Sequence, residues 1–270
     1  MSTIDFPMWL AGVSAQVEDK LTAAVRQMPA PPPLRAAVGH ALLGSGKRLR
    51  PALLIATAVD QQTDSVPVAA WAAASALECI HCYSLVHDDL PCMDDDDLRR
   101  GKPACHKIYG DAMAVLAGDC LQALAFSLLA DGDLPNAAVK ILATAAGGGG
   151  LCGGQALDLC AAADDEDSLG QMHKMKTGAL FECAVHLGML CRGVDDKRLR
   201  TFAACFGLLF QIANDIKDEA QDVQAGKRTF VTVLGLAIAR QRAEESRRSA
   251  LHALTGDYPI LAALTQAVVV

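Results

Sequence analysis

Aromatic residues are scarce in this chain: they make up 4% of its 270 residues, as two tryptophans, three tyrosines and seven phenylalanines. Because strands favour aromatic and β-branched side chains, this scarcity argues against a sheet-rich fold. Alanine and leucine are plentiful instead, and hydrophobic residues of all types reach 52%. The composition predicts an all-α protein whose apolar helices pack into a sizeable core.

Three other features are missing, and each excludes a class of protein. The chain has no run of about eighteen or more apolar residues, so we expect no membrane span. The N-terminus, MSTIDFPMWL, lacks a basic segment ahead of an apolar one and predicts no secretory signal. A net charge of −7 leaves no basic excess for nucleic acid. We therefore expect a cytoplasmic protein whose ten cysteines are reduced thiols.

Cysteine spacing raises a metal site as an alternative. Cys79 and Cys82 form a C-x-x-C, with His81 between them and Cys92 nearby. A zinc site usually takes a second ligand pair at matching spacing, and the sequence contains no other C-x-x-C. Because the pair lies within a continuous helical pattern, we interpret it as buried core thiols.

An acidic stretch is the most distinctive feature of the sequence. Six aspartates lie within 88–97 and two arginines at 99–100, directly after a predicted apolar helix at 69–86 that Pro91 cannot continue. Carboxylates at the negative end of a helix dipole need a positive partner. Mg²⁺ typically combines one or two carboxylates with phosphate oxygens. The stretch therefore favours a magnesium–phosphate site over a solvated acidic loop.

A basic turn precedes this helix. Gly44 and Gly46 are followed closely by Lys47, Arg48 and Arg50. A flexible turn of this kind lets backbone amides and three cations converge on one anion. Ordinary surface basicity is the alternative for so short a motif.

Further polar residues lie in predicted helices. His81 lies two helical turns before Asp88, on nearly the same face. After a glycine-rich segment at 147–154, Lys176 lies in the apolar sequence of a predicted helix at 168–191, where a lysine needs an anionic partner. Four polar residues share one face of a predicted helix at 197–222, because they recur at three- and four-residue spacing: Gln211, Asn214, Asp215 and Asp218.

These motifs, in this order, resemble those of short-chain trans-isoprenyl diphosphate synthases, and most of all bacterial farnesyl diphosphate synthases. The similarity covers nearly the whole chain. The segments that carry it are GKRLRP (46–51), HCYSLVHDDLPCMDDDDLRRGKP (81–103), GGQALDL (153–159), KTGALF (176–181) and FQIANDIKD (210–218). The resemblance implies one all-α domain over residues 1–270, a helical bundle around a deep central cavity, and usually a homodimer.

The resemblance also implies roles for the matched residues. Mg²⁺ is bound by Asp88, Asp94, Asn214 and Asp218. The diphosphate of isopentenyl diphosphate is bound by Lys47, Arg50, His81 and Arg100. The allylic diphosphate is bound by Arg99, Lys176, Thr177, Gln211 and Lys227. Catalysis depends most on Asp88, Asp94, Arg99 and Lys176.

Product length is expected to depend on Tyr83. Because a helix rises 1.5 Å per residue, Tyr83 lies about 7.5 Å before Asp88 along the axis and is placed to stop the growing chain. Ser84 beside it is too small to do so. The alternative is that Tyr83 only packs in the core.

The implied activity is Mg²⁺-dependent condensation of isopentenyl diphosphate with dimethylallyl or geranyl diphosphate, giving mainly farnesyl diphosphate. Such chemistry needs a neutralised leaving group and a dry cavity, but no nucleophilic side chain. Asn214 replaces a family aspartate, and the connection from Asp218 to Lys227 is shorter than in the family. These departures leave a weakly active or non-catalytic subunit of a heteromer as an alternative. A terpene cyclase is disfavoured, because it has no second diphosphate for the basic pocket.

Overall fold

The computed structural model describes residues 5–44, 46–59, 65–160, 165–255 and 257–270. Within these ranges the protein is almost entirely helical, with a single short hairpin. This confirms the predicted all-α class. The chain forms two compact units, an N-terminal unit (Met1–Ile55 and Ser65–Val139) and a C-terminal unit (Ala56–Asp64 and Lys140–Val270). The single domain over residues 1–270 stays a prediction.

The N-terminal unit is built on two long apolar helices. Its elements are α1 (Phe6–Gln27), α2 (Pro32–Leu42), most of α3 (Leu49–Ala58), α4 (Val68–Asp88), β1 (Leu98–Arg99), β2 (Lys102–Pro103), α5 (Cys105–Tyr109) and α6 (Asp111–Asp131). α4 packs mainly against α6. Its side chains are buried on all sides, as expected for a helix that is apolar all round.

The end of α4 is fixed against α6. The imidazole of His87 lies over Gly118, where a Cβ atom would collide with it, and its Nε2 lies 3.1 Å from the Val115 carbonyl. This contact holds the last turn of α4, which carries Asp88. As predicted, Cys79 and Cys82 are buried free thiols on this helix, and burial raises the pKa of Cys82 to about 12.

α4 and α6 are each 21 residues long and apolar enough on average to cross a membrane, although the sequence predicts no span. Core helices of other proteins share this length and composition, so two such helices are weak evidence for a membrane protein. The most apolar part of α4 is 72% buried inside the protein, whereas that of α6 is 33% buried. α6 therefore keeps an apolar side at the surface of this chain.

The C-terminal unit contains the remaining helices. The first of them, α7 (Asn136–Ala146), begins in the N-terminal unit and continues into this one. The others are α8 (Leu151–Leu159), α9 (Glu166–His173), a π-helical turn (Lys174–Gly178), α10 (Ala179–Arg192), α11 (Lys197–Lys217), α12 (Glu219–Ala225), α13 (Phe230–Leu234), α14 (Leu236–Leu254) and α15 (Pro259–Gln266). One buried apolar cluster joins α9, α11, α13 and α14, and Val268 and Val270 pack on it.

Helix ends in this unit follow local signals. Asp165 and Ser168 form a capping box at the start of α9, and Asp196 caps α11. Gly193, with a φ of 72°, ends α10 in the left-handed region that glycine tolerates. The continuous helix predicted over 168–191 is instead interrupted by the π-helical turn, a feature often found at functional sites.

Candidate active site

The first aspartate motif forms a folded loop after α4. The backbone amide of Asp94 donates to the Asp88 carbonyl at 2.8 Å, which brings the two ends of the motif together. Asp88 is half-buried and Asp94 is exposed. Asp89 instead points inward, with 2% of its surface exposed, and accepts a hydrogen bond from Arg99 Nε at 2.9 Å. Burial raises the pKa of Asp89, and Arg99 opposes that shift.

Arg99 is held by two acidic residues of this loop. Besides Asp89, its Nη2 contacts Asp96 Oδ2 at 2.8 Å. This pairing is a structural constraint that the sequence motif does not reveal. The predicted contact of Arg99 with an allylic diphosphate stays a prediction.

The donor set of this loop fits Mg²⁺. In the described part of the chain, no three His, Cys, Asp or Glu side chains are grouped closely enough to hold a metal ion by themselves. Asp88 and Asp94 supply carboxylate oxygens from one folded loop. Proteins commonly bind Mg²⁺ through one or two carboxylates of this kind, and phosphate oxygens and water complete its coordination shell.

A cationic pocket forms around His81 of α4, with Arg50 from α3 and Arg100 from the β1–β2 turn. Nε2 of His81 lies 3.4 Å from Arg50 Nη1 and 3.4 Å from Arg100 Nη2. Burial, together with these arginines, lowers the pKa of His81 well below its usual range, so the imidazole is neutral. Burial also lowers the pKa of Arg50 to about 10, and Arg100 adds to the shift. Two guanidinium groups on one neutral ring favour an anion between them.

The hairpin positions Arg100 in this pocket. β1 pairs antiparallel with β2, and the turn between them is Arg100–Gly101. Their φ values are 55° and 76°, as a two-residue hairpin turn requires. Nε2 of His40 on α2 lies 2.9 Å from the Pro103 carbonyl and ties the hairpin down. The sequence analysis did not single out His40.

Arg48 does not join the pocket, so the predicted convergence of three cations is wrong for this residue. Its side chain is buried, and its guanidinium lies 2.5 Å from Glu78 Oε1 and 2.6 Å from Glu18 Oε2. Of the other two cations, Arg50 lies in the pocket and Lys47 is exposed. A cationic partner for Glu78 could have been predicted from the sequence, because a carboxylate in an apolar helix needs a cation. No signal in the sequence marks Glu18.

The C-terminal unit carries a second group of predicted residues on the π-helical turn. Nζ of Lys176 lies 2.5 Å from Asp158 Oδ2 on α8, which is the anionic partner that its apolar surroundings predicted. Thr177 follows it and is half-buried. Gly154 on α8 packs on this turn, where an added Cβ would lie 2.6 Å from Lys176 Cα. The glycine-rich segment thus serves close helix approach.

Asp215 differs from its neighbours in the second aspartate motif. It is 3% exposed and accepts hydrogen bonds from Gln211 Nε2 at 2.6 Å and from the Phe230 amide at 2.9 Å. Burial raises its pKa to about 7, although both donors oppose the shift. Asp215 therefore links α11 to α13. It also accepts a hydrogen bond from Gln211, which is predicted to bind the allylic diphosphate.

Asn214 and Asp218 of this motif lie nearer the surface, where both are half-buried. Lys227, which follows the motif, is exposed. Lys217 Nζ lies 3.3 Å from Asp218 Oδ1 and partly offsets its charge. With an amide at Asn214, this motif carries less negative charge than a pair of leading aspartates would. The roles predicted for these side chains stay predictions.

Comparison with known proteins places this arrangement in a family. A family model described as polyprenyl synthetase matches residues 31–256. Farnesyl diphosphate synthase of Escherichia coli (strain K12) is 43% identical over 90% of this chain and 89% of its own length.

Solved structures agree with this match. An FPP/GFPP synthase from Zymomonas mobilis aligns with a TM-score of 0.86 and 36% identity, over 98% of this chain and 99% of that one. A geranyltransferase from Helicobacter pylori, solved with magnesium and isoprenyl diphosphate, gives 0.83 and 30%, over 99% and 97%. The chain is therefore a trans-prenyltransferase of the polyprenyl synthetase family.

Proposed function

We propose that this enzyme condenses isopentenyl diphosphate with dimethylallyl or geranyl diphosphate, depends on Mg²⁺, and makes mainly farnesyl diphosphate. The observation that carries the proposal is that α4 links two features: its His81 forms a pocket with Arg50 and Arg100, and its C-terminal end leads into the aspartate loop at Asp88. A cationic pocket beside a magnesium-type carboxylate pair suits two diphosphates held side by side. The similarity to the Escherichia coli farnesyl diphosphate synthase supports the choice of product.

The two diphosphates are assigned to separate groups of residues. Lys47, Arg50, His81 and Arg100 bind isopentenyl diphosphate. Arg99, Lys176, Thr177, Gln211 and Lys227 bind the allylic diphosphate. When bound by Asp88 and Asp94, with Asn214 and Asp218 on the second motif, Mg²⁺ supplies positive charge that stabilises the leaving diphosphate. The cocrystal of the Helicobacter pylori geranyltransferase with magnesium and isoprenyl diphosphate supports the choice of metal and substrate class.

The residues contribute mainly by positioning and by charge. The allylic carbon–oxygen bond breaks, and its electron pair leaves with the diphosphate. The double bond of isopentenyl diphosphate then attacks the allylic cation, and a proton is lost to the diphosphate. Cationic side chains oppose the charge that develops on the leaving group, which is the largest contribution expected from such a site.

A non-catalytic subunit of a heteromer is not favoured as the function. Asn214 and the Lys217–Asp218 ion pair reduce the charge of the second motif, and we expect slower turnover as the consequence. Against the alternative stands the 43% identity to a farnesyl diphosphate synthase over 90% of this chain. We infer instead a cytoplasmic homodimer. Its support is the apolar side of α6, where Val115 is 40% exposed and Leu116 51% exposed.

Turnover by the pure chain tests the proposal. We expect diphosphate release when the protein is mixed with Mg²⁺, isopentenyl diphosphate and geranyl diphosphate, and a fifteen-carbon product by mass spectrometry. Chelation of the metal should abolish release. If the purified chain showed no turnover under several metal and pH conditions, the proposal would be wrong. Robust turnover would exclude the heteromeric alternative.

Replacement of Tyr83 by Ala should lengthen the products toward twenty carbons or more. Tyr83 is 4% exposed, and its ring lies edge-on to His87 with centroids 5.8 Å apart, in the last turns of α4 before Asp88. Removing the ring opens space in the direction in which the chain is proposed to grow. Mass spectrometry of the products measures the effect.

The matched control is Tyr83→Phe, which keeps the ring and removes the hydroxyl. If the ring of Tyr83 stops the growing chain, this variant makes the same product as the unaltered enzyme. A folded, active Tyr83→Ala variant with an unchanged product distribution would show that another residue stops the chain. It would also favour a simple packing role for Tyr83.

A further inference from the structure

We propose that Glu18 is a positioning residue for the isopentenyl diphosphate pocket and acts on it through Arg48. This inference rests on the proposed function, because it assumes that Arg50, His81 and Arg100 bind that diphosphate. Neither Glu18 nor Arg48 is placed to bind the anion itself. One is a carboxylate, and the other is a buried guanidinium already occupied by carboxylates.

Glu18 holds the basic turn at both ends. Its Oε1 accepts a hydrogen bond from the Gly44 amide at 2.8 Å, and its Oε2 accepts one from Arg48 Nη2 at 2.6 Å. One carboxylate therefore spans the turn between α2 and α3. Such charge-assisted contacts are stronger than ordinary hydrogen bonds and define the geometry of both donors.

Arg48 adopts a strained backbone that needs this support. Its φ is 47°, in the left-handed region that a residue with a Cβ avoids. Glu78 Oε1 and the Leu42 carbonyl hold its guanidinium at 2.5 Å and 2.8 Å, in addition to Glu18. Although burial acts against the charge, these carboxylates raise the pKa of Arg48. The buried network compensates the strain and sets the direction in which the chain leaves toward Arg50.

The same network borders the pocket. A Cβ on Gly46 would lie 2.7 Å from Arg100 Nη1 and 3.1 Å from Arg48 Nη1, so the turn packs closely against both guanidinium groups. Arg100 in turn contacts His81. A shift of the turn would therefore move Arg50, which follows it, and Arg100, which lies against it.

If Glu18 acted only through its charge, its removal would affect anion binding differently from the loss of a positioning residue. A carboxylate close to a cationic pocket weakens anion binding, so removing it should tighten the binding of a diphosphate. The positioning role predicts weaker binding instead. The sign of the change therefore separates the two explanations.

Two variants make the test. Glu18→Gln removes the charge and leaves one oxygen for two donors, while Glu18→Asp keeps the charge on a shorter side chain. We expect each to weaken the binding of isopentenyl diphosphate, measured by calorimetry, by about tenfold, the scale of one lost charge-assisted hydrogen bond. The KM for geranyl diphosphate and kcat should change by less than about twofold. Such a split is not the signature of a merely loosened fold.

Asp19→Asn is the matched control, because Asp19 is an exposed carboxylate one residue further along α1. It removes the same charge away from the turn and should leave binding unchanged. Tighter or unchanged binding in the Glu18→Gln and Glu18→Asp variants would overturn the inference, as would equal weakening in Asp19→Asn. An unaltered protein that binds isopentenyl diphosphate but makes no product would refute only the proposed function.

Discussion

Neutralising the first aspartate motif is expected to remove about a hundredfold or more of kcat, the scale on which preorganised charge stabilises a transition state. The variants are Asp88→Asn and Asp94→Asn, which change charge with almost no change of volume. Asp88 is half-buried and Asp94 is exposed, and the bond between them runs from backbone amide to backbone carbonyl. The folded loop should therefore survive both substitutions. Diphosphate release at saturating substrates and a thermal melt of each variant measure the two properties.

The control for this experiment is Asp95→Asn in the same loop. Asp95 is exposed and has a φ of 50°, a conformation that asparagine tolerates as well as aspartate. It loses the same charge one residue from Asp94 and should keep most of the rate. Near-normal rates and unchanged metal dependence in Asp88→Asn and Asp94→Asn would reduce the acidic stretch to a solvated loop. Equal losses in all three variants would point to net charge rather than to particular carboxylates.

Where local stereochemistry decides the structure, the sequence alone predicts it. Pro91 cannot continue α4, so the sequence predicts that the aspartate loop begins near Asp88, where α4 does end. The requirement of Lys176 for an anionic partner followed from its apolar neighbours, and Asp158 meets it. Both results depend on short-range physical chemistry that a single sequence contains.

The errors arose where a distant residue decides the outcome. Arg48 belongs to a run of cations, yet Glu18, thirty residues earlier, and Glu78, thirty residues later, pair with its buried guanidinium. Helical spacing placed Asp215 beside Asn214 and Asp218, but the Phe230 amide, fifteen residues further on, makes Asp215 an internal link. Spacing shows which residues share a face. It does not show which neighbour covers that face.

The π-helical turn also could not be predicted from local sequence. Its residues, KMKTG, have ordinary helical propensities apart from the glycine. The turn lies where Gly154 brings α8 into contact with the backbone of Lys176. The wider turn is thus associated with a contact between segments more than twenty residues apart in sequence. Its consequence is that a glycine outside the site sets the position of Lys176 and Thr177.

Gly154→Ala is therefore expected to lower kcat/KM for geranyl diphosphate by about a hundredfold, the loss that a displacement near 1 Å can cause at a reacting centre. The added Cβ would lie 2.6 Å from Lys176 Cα and 2.8 Å from Lys176 Cβ, too close for either helix to keep its place. Backbone atoms cannot rotate away, so α8 and the π-helical turn must separate. Overpacking of this kind also costs about 1–3 kcal/mol of stability, which a thermal melt would detect.

Gly170→Ala on α9 is the matched control for this prediction. No atom lies within 4 Å of the Cβ it would add, and the residue is helical. Replacing a helical glycine by alanine without a clash stabilises a protein by about 0.5–1 kcal/mol. The control should therefore melt at the same temperature or higher and keep its rate. If Gly154→Ala behaved like Gly170→Ala, the contact with α8 would not be what positions Lys176 and Thr177.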